Sequence, residues 1–64
     1  MFREGEQALL NKPPHIVEGV IVMPGTRVTI TKIHEDGTYD VLFYDREQMP
    51  HTIHAVRPED LSAL

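Results

Sequence analysis

The segment Arg27 to Tyr44 limits the fold more than any other part of this chain. Arg27-Val28-Thr29-Ile30-Thr31 alternates polar and apolar residues at period two, the pattern of a half-buried strand. Asp36-Gly37 follows, a pair that suits a tight turn because it tolerates positive φ. Thr38-Tyr39-Asp40-Val41-Leu42-Phe43-Tyr44 then reads as the returning strand. A β-hairpin is thus written into the middle of the sequence. No helical period survives for more than a turn anywhere in it.

A two-residue type I′ turn at Asp36-Gly37 predicts the pairing. Glu35 faces Thr38, His34 faces Tyr39, Ile33 faces Asp40, Lys32 faces Val41 and Ile30 faces Phe43. Directly opposed residues share a sheet face. One face therefore carries Val28, Ile30, Val41 and Phe43, with Ile53 and Leu61 completing a core. The other carries Ile33, Leu42 and Tyr44, an apolar patch on the nominal outside.

Shorter elements flank the hairpin. Glu6 to Leu10 is a strand-like run ended by Asn11-Lys12-Pro13-Pro14, since proline is excluded from sheet interiors. Val17 to Met23, interrupted at Gly19, is a second run, and Pro24-Gly25 marks a turn. Asp45 to Pro50 is a polar loop, and Thr52 to Val56 a short last strand. Pro58 suits the first helical position, and Glu59-Asp60 favours the N-terminal end of a helical turn over Arg57 to Leu61. The expectation is one all-β domain over residues 1–64. The resemblance of the central hairpin to known small barrels implies a small five-stranded barrel with a long first loop and one short helical turn near the C-terminus.

At 64 residues the chain buries only about 60% of its unfolded surface, which leaves no room for two lobes around a substrate cleft. A binding module or a small oligomer is the expected class. With no cysteine there is no disulfide framework and no thiolate zinc site, which points to a cytoplasmic address. Six basic residues against ten acidic give a net charge of −4, and the cations are scattered. That argues against a generic nucleic-acid binder, which carries a clustered basic patch. No apolar stretch is long enough to span a membrane, and Met-Phe-Arg-Glu-Gly lacks the apolar core of a signal peptide. The opening methionine reads as the start of a complete small gene product.

Side chains that carry chemistry are dispersed. Of the four histidines, His51 and His54 lie three apart, which on an extended strand places them on opposite faces. His15 and His34 sit near turns. Asp36, Asp40 and Asp45 do not have the spacing of a calcium loop. Ser62 is the only serine, and no glycine-rich phosphate loop occurs. The chain is expected to be no enzyme, with no cofactor, no metal and no small-molecule substrate.

The order Ile30-x-x-Ile33-x-x-Asp36-Gly37-x-Tyr39-x-Val41-x-Phe43-x-Asp45, followed by Ile53 and Leu61, resembles the second half of a Tudor domain. The resemblance covers Arg27 to Leu61 and extends to the wider group of SH3-like barrels. It implies a strongly bent five-stranded SH3-like (Tudor-like) barrel that binds a peptide or an RNA. The family's methyl-lysine or methyl-arginine cage needs about four aromatic walls. Phe43 falls where the family places one wall and Arg46 where it places another. A cation there repels a cation, so methyl reading does not carry over.

The expected function is a non-catalytic protein-interaction module or small adaptor. The alternatives are a nucleic-acid-associated barrel and a structural subunit of a homo-oligomeric assembly. The expected contact residues are Ile33, Leu42 and Tyr44, with Arg46 and Met49 from the bordering loop. The first loop, Lys12 to Glu18, stiffened by Pro13-Pro14, forms the other rim. The partner is another protein or a second copy of the chain. The competing expectation is that Val17 to Met23 simply covers the patch.

Overall fold

The computed structural model describes residues 2–11, 15–17 and 19–64, with the backbone alone at 15–17 and 20. Among the described residues seven strands follow in order: β1 (Gln7–Leu10), β2 (His15–Val17), β3 (Val20–Val22), β4 (Thr26–Ile33), β5 (Tyr39–Tyr44), β6 (Pro50–Val56) and β7 (Leu61–Ala63). A single 3₁₀ turn, Pro58–Asp60, separates β6 from β7. Five strands form one antiparallel sheet in the order β6-β5-β4-β1-β7, and β2 and β3 form a separate ribbon. Among the described residues the sheet is open, with β6 and β7 as its edges. No described helix is long and apolar enough to cross a membrane.

The all-β class and the terminal helical turn agree with the sequence, but the membership of the sheet does not. The run Val17 to Met23 is no sheet strand. It folds back at Gly19 as the β2–β3 ribbon, inside the stretch expected to be a long loop. Its place in the sheet is taken by Leu61–Ala63, which pairs with β1. Proline at N1 starts the 3₁₀ turn, and its last residues hand directly into β7.

The central hairpin has a different turn from the expected one. His34 N–H donates to Thr38 O at 2.8 Å, and Gly37 N–H donates to His34 O at 3.0 Å. Gly37 has φ +89°, whereas Asp36 is not in the positive-φ region. This is a three-residue loop, a type I turn closed by a left-handed residue, not a type I′ turn. The Asp36 carboxylate fixes it by accepting from Thr38 N–H at 3.0 Å and Thr38 Oγ1–H at 2.7 Å.

The pairing shifts accordingly. Ile33 faces Tyr39 and Lys32 faces Asp40; then a bulge at Thr31 intervenes, and Ile30 faces Val41. The longer loop slips the register by one residue, and the bulge slips it by one more. A one-residue slip reverses the faces, and a second restores them. Beyond the bulge the core is therefore as expected. Val28, Ile30, Val41, Phe43, Ile53 and Leu61 are all buried, together with Ala8, Leu10, Val22, Tyr39 and Val56. Between loop and bulge the faces are reversed, and Ile33 lies opposite a core residue instead of beside Leu42.

Val22 brings the ribbon into this core, and Phe2 packs on it with its ring edge-on to Tyr39 at 5.7 Å. Leu10, Val28, Ile30 and Val41 are essentially sealed from water. Burying each such aliphatic side chain stabilises the fold by about 1.5–3 kcal/mol.

Candidate functional site

Two carboxylates of β5 and its following loop organise the rest of the polar chemistry. Asp40 is buried between bulges in both neighbouring strands. On β4 the bulge is at Thr31, whose hydroxyl donates to Asp40 O at 3.1 Å. On β6 the extra residue falls between Ile53 and Val56, where Ala55 takes φ +58°. The Ala55 N–H donates to Asp40 Oδ1 at 3.1 Å. His34 Nε2 lies 2.7 Å from Oδ1, and His54 Nδ1 lies 3.2 Å from Oδ2. The His34 contact is the main cause that holds the Asp40 carboxyl at about 2, against the opposing effect of burial. This clasp satisfies a buried charge and holds a strained bulge.

Asp45 does a second, separate job. Its Oδ1 accepts from the N–H groups of Glu47 at 2.8 Å and Met49 at 2.9 Å. Its Oδ2 lies 2.8 Å from His51 Nε2, and the His51 ring stacks on Phe43 at 5.2 Å. The His51 contact, then the Met49 N–H, lowers the Asp45 pKa. Asp45 N–H donates to Met49 O, and Gln48 N–H donates to Asp45 O. The loop is thus built like the first one, with Gln48 at φ +63° where the first has Gly37. Asp36, Asp40 and Asp45 each serve a different turn or bulge. His51 and His54 each serve a different carboxylate.

Next to this braced loop lies an open cleft of about 360 Å³. Ile21, Val22 and Thr26 form one wall; Phe43, Tyr44, Asp45, Arg46 and Glu47 form the other. Val22 and Phe43 are its buried floor. Ile21 is 62% exposed and Tyr44 is 58% exposed. Met23, next to Val22, and Met49, two residues beyond Glu47, are also exposed. Thr26 ties the ribbon's end down by donating from its hydroxyl to Met23 O at 2.7 Å.

Of the expected contact residues, Tyr44 and Arg46 meet in this cleft. Met49 lies at the end of the same loop, and half-buried Leu42 precedes Tyr44 on the same face of β5. Ile33 does not join them, because the Thr31 bulge turns it to the other face. Of the rim expected over Lys12 to Glu18, residues 12–14 and 18 lie outside the described residues, and 15–17 form β2. The ribbon does not cover Tyr44; it supplies Val22 to the core and leaves Tyr44 more than half exposed. Ile21 is a further wall of the site. Its signal in the sequence is slight: the middle residue of an apolar triplet, Val20-Ile21-Val22, which as a strand must point away from its neighbours. Phe43, placed by family resemblance as a cage wall, is buried and offers no free ring face. Compared with family models, with curated proteins and with solved structures, the chain finds no match.

Proposed function

We propose that this chain is a non-catalytic protein-interaction module of SH3-like, Tudor-like type, docking its partner at the cleft between the β2–β3 ribbon and the Asp45–Met49 loop. The carrying observation is the pairing of exposed Ile21 and Tyr44 across that cleft, with Arg46 at its edge. Exposed apolar area concentrated in one place marks an interaction site. Tyrosine and arginine are types that dominate binding energy. Asp45 braces the loop beforehand, so little entropy is lost on docking. The succession of a first strand, an excursion, three strands, a 3₁₀ turn and a closing strand supports the SH3-like reading. The cysteine-free composition supports a cytoplasmic setting.

Selection of peptides from a displayed random library against the dilute chain tests the reading. Selected peptides are expected to lose at least about tenfold in affinity on Tyr44→Ser or Ile21→Ser, with the melting temperature of each variant unchanged. Peptides that bind Tyr44→Ser and Ile21→Ser as well as the parent chain contradict it.

A further inference from the structure

Arg46 and Glu47 stand side by side at the rim of the cleft. Both are exposed, and neither side chain has an ion-pair partner among the described residues. Asp45, the third charged group there, is already engaged by His51 and two backbone N–H groups. Among the described residues the rim therefore offers one unpaired cation and one unpaired anion at adjacent positions. A partner of a single charge sign would meet one of them with repulsion. A second copy of the same rim, turned by a two-fold axis, meets both with attraction. In such an isologous contact, residue i touches residue j and j touches i.

Apolar content supports the same occupant. Of six exposed large hydrophobic side chains among the described residues, Ile21 and Tyr44 line the cleft, and Met23 and Met49 lie within two residues of lining positions. Resting on the interaction-module reading, we infer that the occupant of this face is a second copy of the chain. The two copies form a two-fold dimer in which Arg46 of each pairs with Glu47 of the other, over apolar contacts from Ile21 and Tyr44. A standard interface takes about 800 Å² from each partner, roughly a fifth of the 4496 Å² surface. The cleft and its rims are only part of that. The dimer therefore belongs to the weak, transient class.

Sedimentation equilibrium over about 10 μM to 1 mM reads the outcome directly. The parent chain is expected to rise from monomer towards dimer mass. Arg46→Glu alone and Glu47→Arg alone each place like charges across the axis, and each should weaken the dimer by at least about tenfold. Mixing these two variants should restore dimer, because opposite charges again face each other. The doubly reversed chain, Arg46→Glu with Glu47→Arg, should dimerise like the parent. Both residues are exposed, so all variants should keep the parent melting temperature. A parent that stays monomeric at 1 mM overturns the inference, as do single variants that dimerise normally or a mixture that fails to recover. If the parent is monomeric while selected peptides still need Tyr44 and Ile21, the dimer falls and the interaction-module reading stands.

Discussion

Replacing Asp40 by Asn should remove the pH-dependent part of the stability that this carboxyl contributes. The carboxyl is held at about 2 against an ordinary 3.8, with the His34 contact as the leading cause. A folded-state pKa below the unfolded one means that the native chain binds fewer protons. Its contribution is complete above about pH 4 and is lost as pH falls through about 2. The gap corresponds to roughly 2 kcal/mol. A chain of this length has a total stability of about 3–10 kcal/mol, so the loss is a large share. Asn keeps the volume and one acceptor for Ala55 N–H, but it removes the charge that His34 and His54 face. Urea unfolding of parent and Asp40→Asn in parallel, from pH 7 to pH 2, isolates this contribution. The carboxyls of Asp36 and Asp45, also lowered, titrate in both chains and cancel in the difference. Asp40→Asn should be weaker by roughly 2 kcal/mol at pH 7, with the gap closing towards pH 2. Equal stability at pH 7, or a gap independent of pH, refutes the clasp.

Three further outcomes follow from the packing and the loops. Phe43→Ala removes a buried ring and the support of His51, and should cost about 3–5 kcal/mol, seen as a largely unfolded chain by circular dichroism. Gln48→Gly relieves a left-handed residue at the loop position where the first hairpin has Gly37. It should raise the urea midpoint, by up to about 1 kcal/mol in stability, whereas a lowered midpoint would contradict the loop assignment. At net charge −4 the chain should show no salt-sensitive binding to generic duplex DNA in an anisotropy titration.

The core was legible in the sequence for a partly accidental reason. Alternation in Arg27 to Thr31 and in Thr38 to Tyr44 identifies the strands, but the register depends on the turn. Asp36-Gly37 fits a two-residue turn and a three-residue loop alike. The side chain of Thr38, positioned to donate to Asp36, is what favours the longer one. The resulting slip and the Thr31 bulge offset each other, so Val28, Ile30, Val41 and Phe43 share a face under either register. Ile33 lies between the two slips and is the residue assigned to the wrong face. The bulges themselves leave no periodic trace, because they arise from the demands of Asp40, a charge that alternation alone places outside. Leu61–Ala63 is too short to show a strand pattern and becomes one only because β1 is there to pair with it. At the site, Tyr44 and Arg46 were legible as an aromatic and a cation beside a loop. Ile21 was not, since its role depends on the ribbon folding back.

The central claim is that the partner-docking face is the cleft bordered by Ile21 and by Tyr44 to Met49. Amide chemical shifts of the ¹⁵N-labelled chain, followed as its concentration rises to about 1 mM and again as a selected peptide is added at low concentration, test it most directly. The account predicts shifts concentrated at Ile21 to Met23 and Tyr44 to Met49, with Lys32 and Ile33 unmoved. Shifts centred on the β6 or β7 edge, or on Ile33, would contradict it.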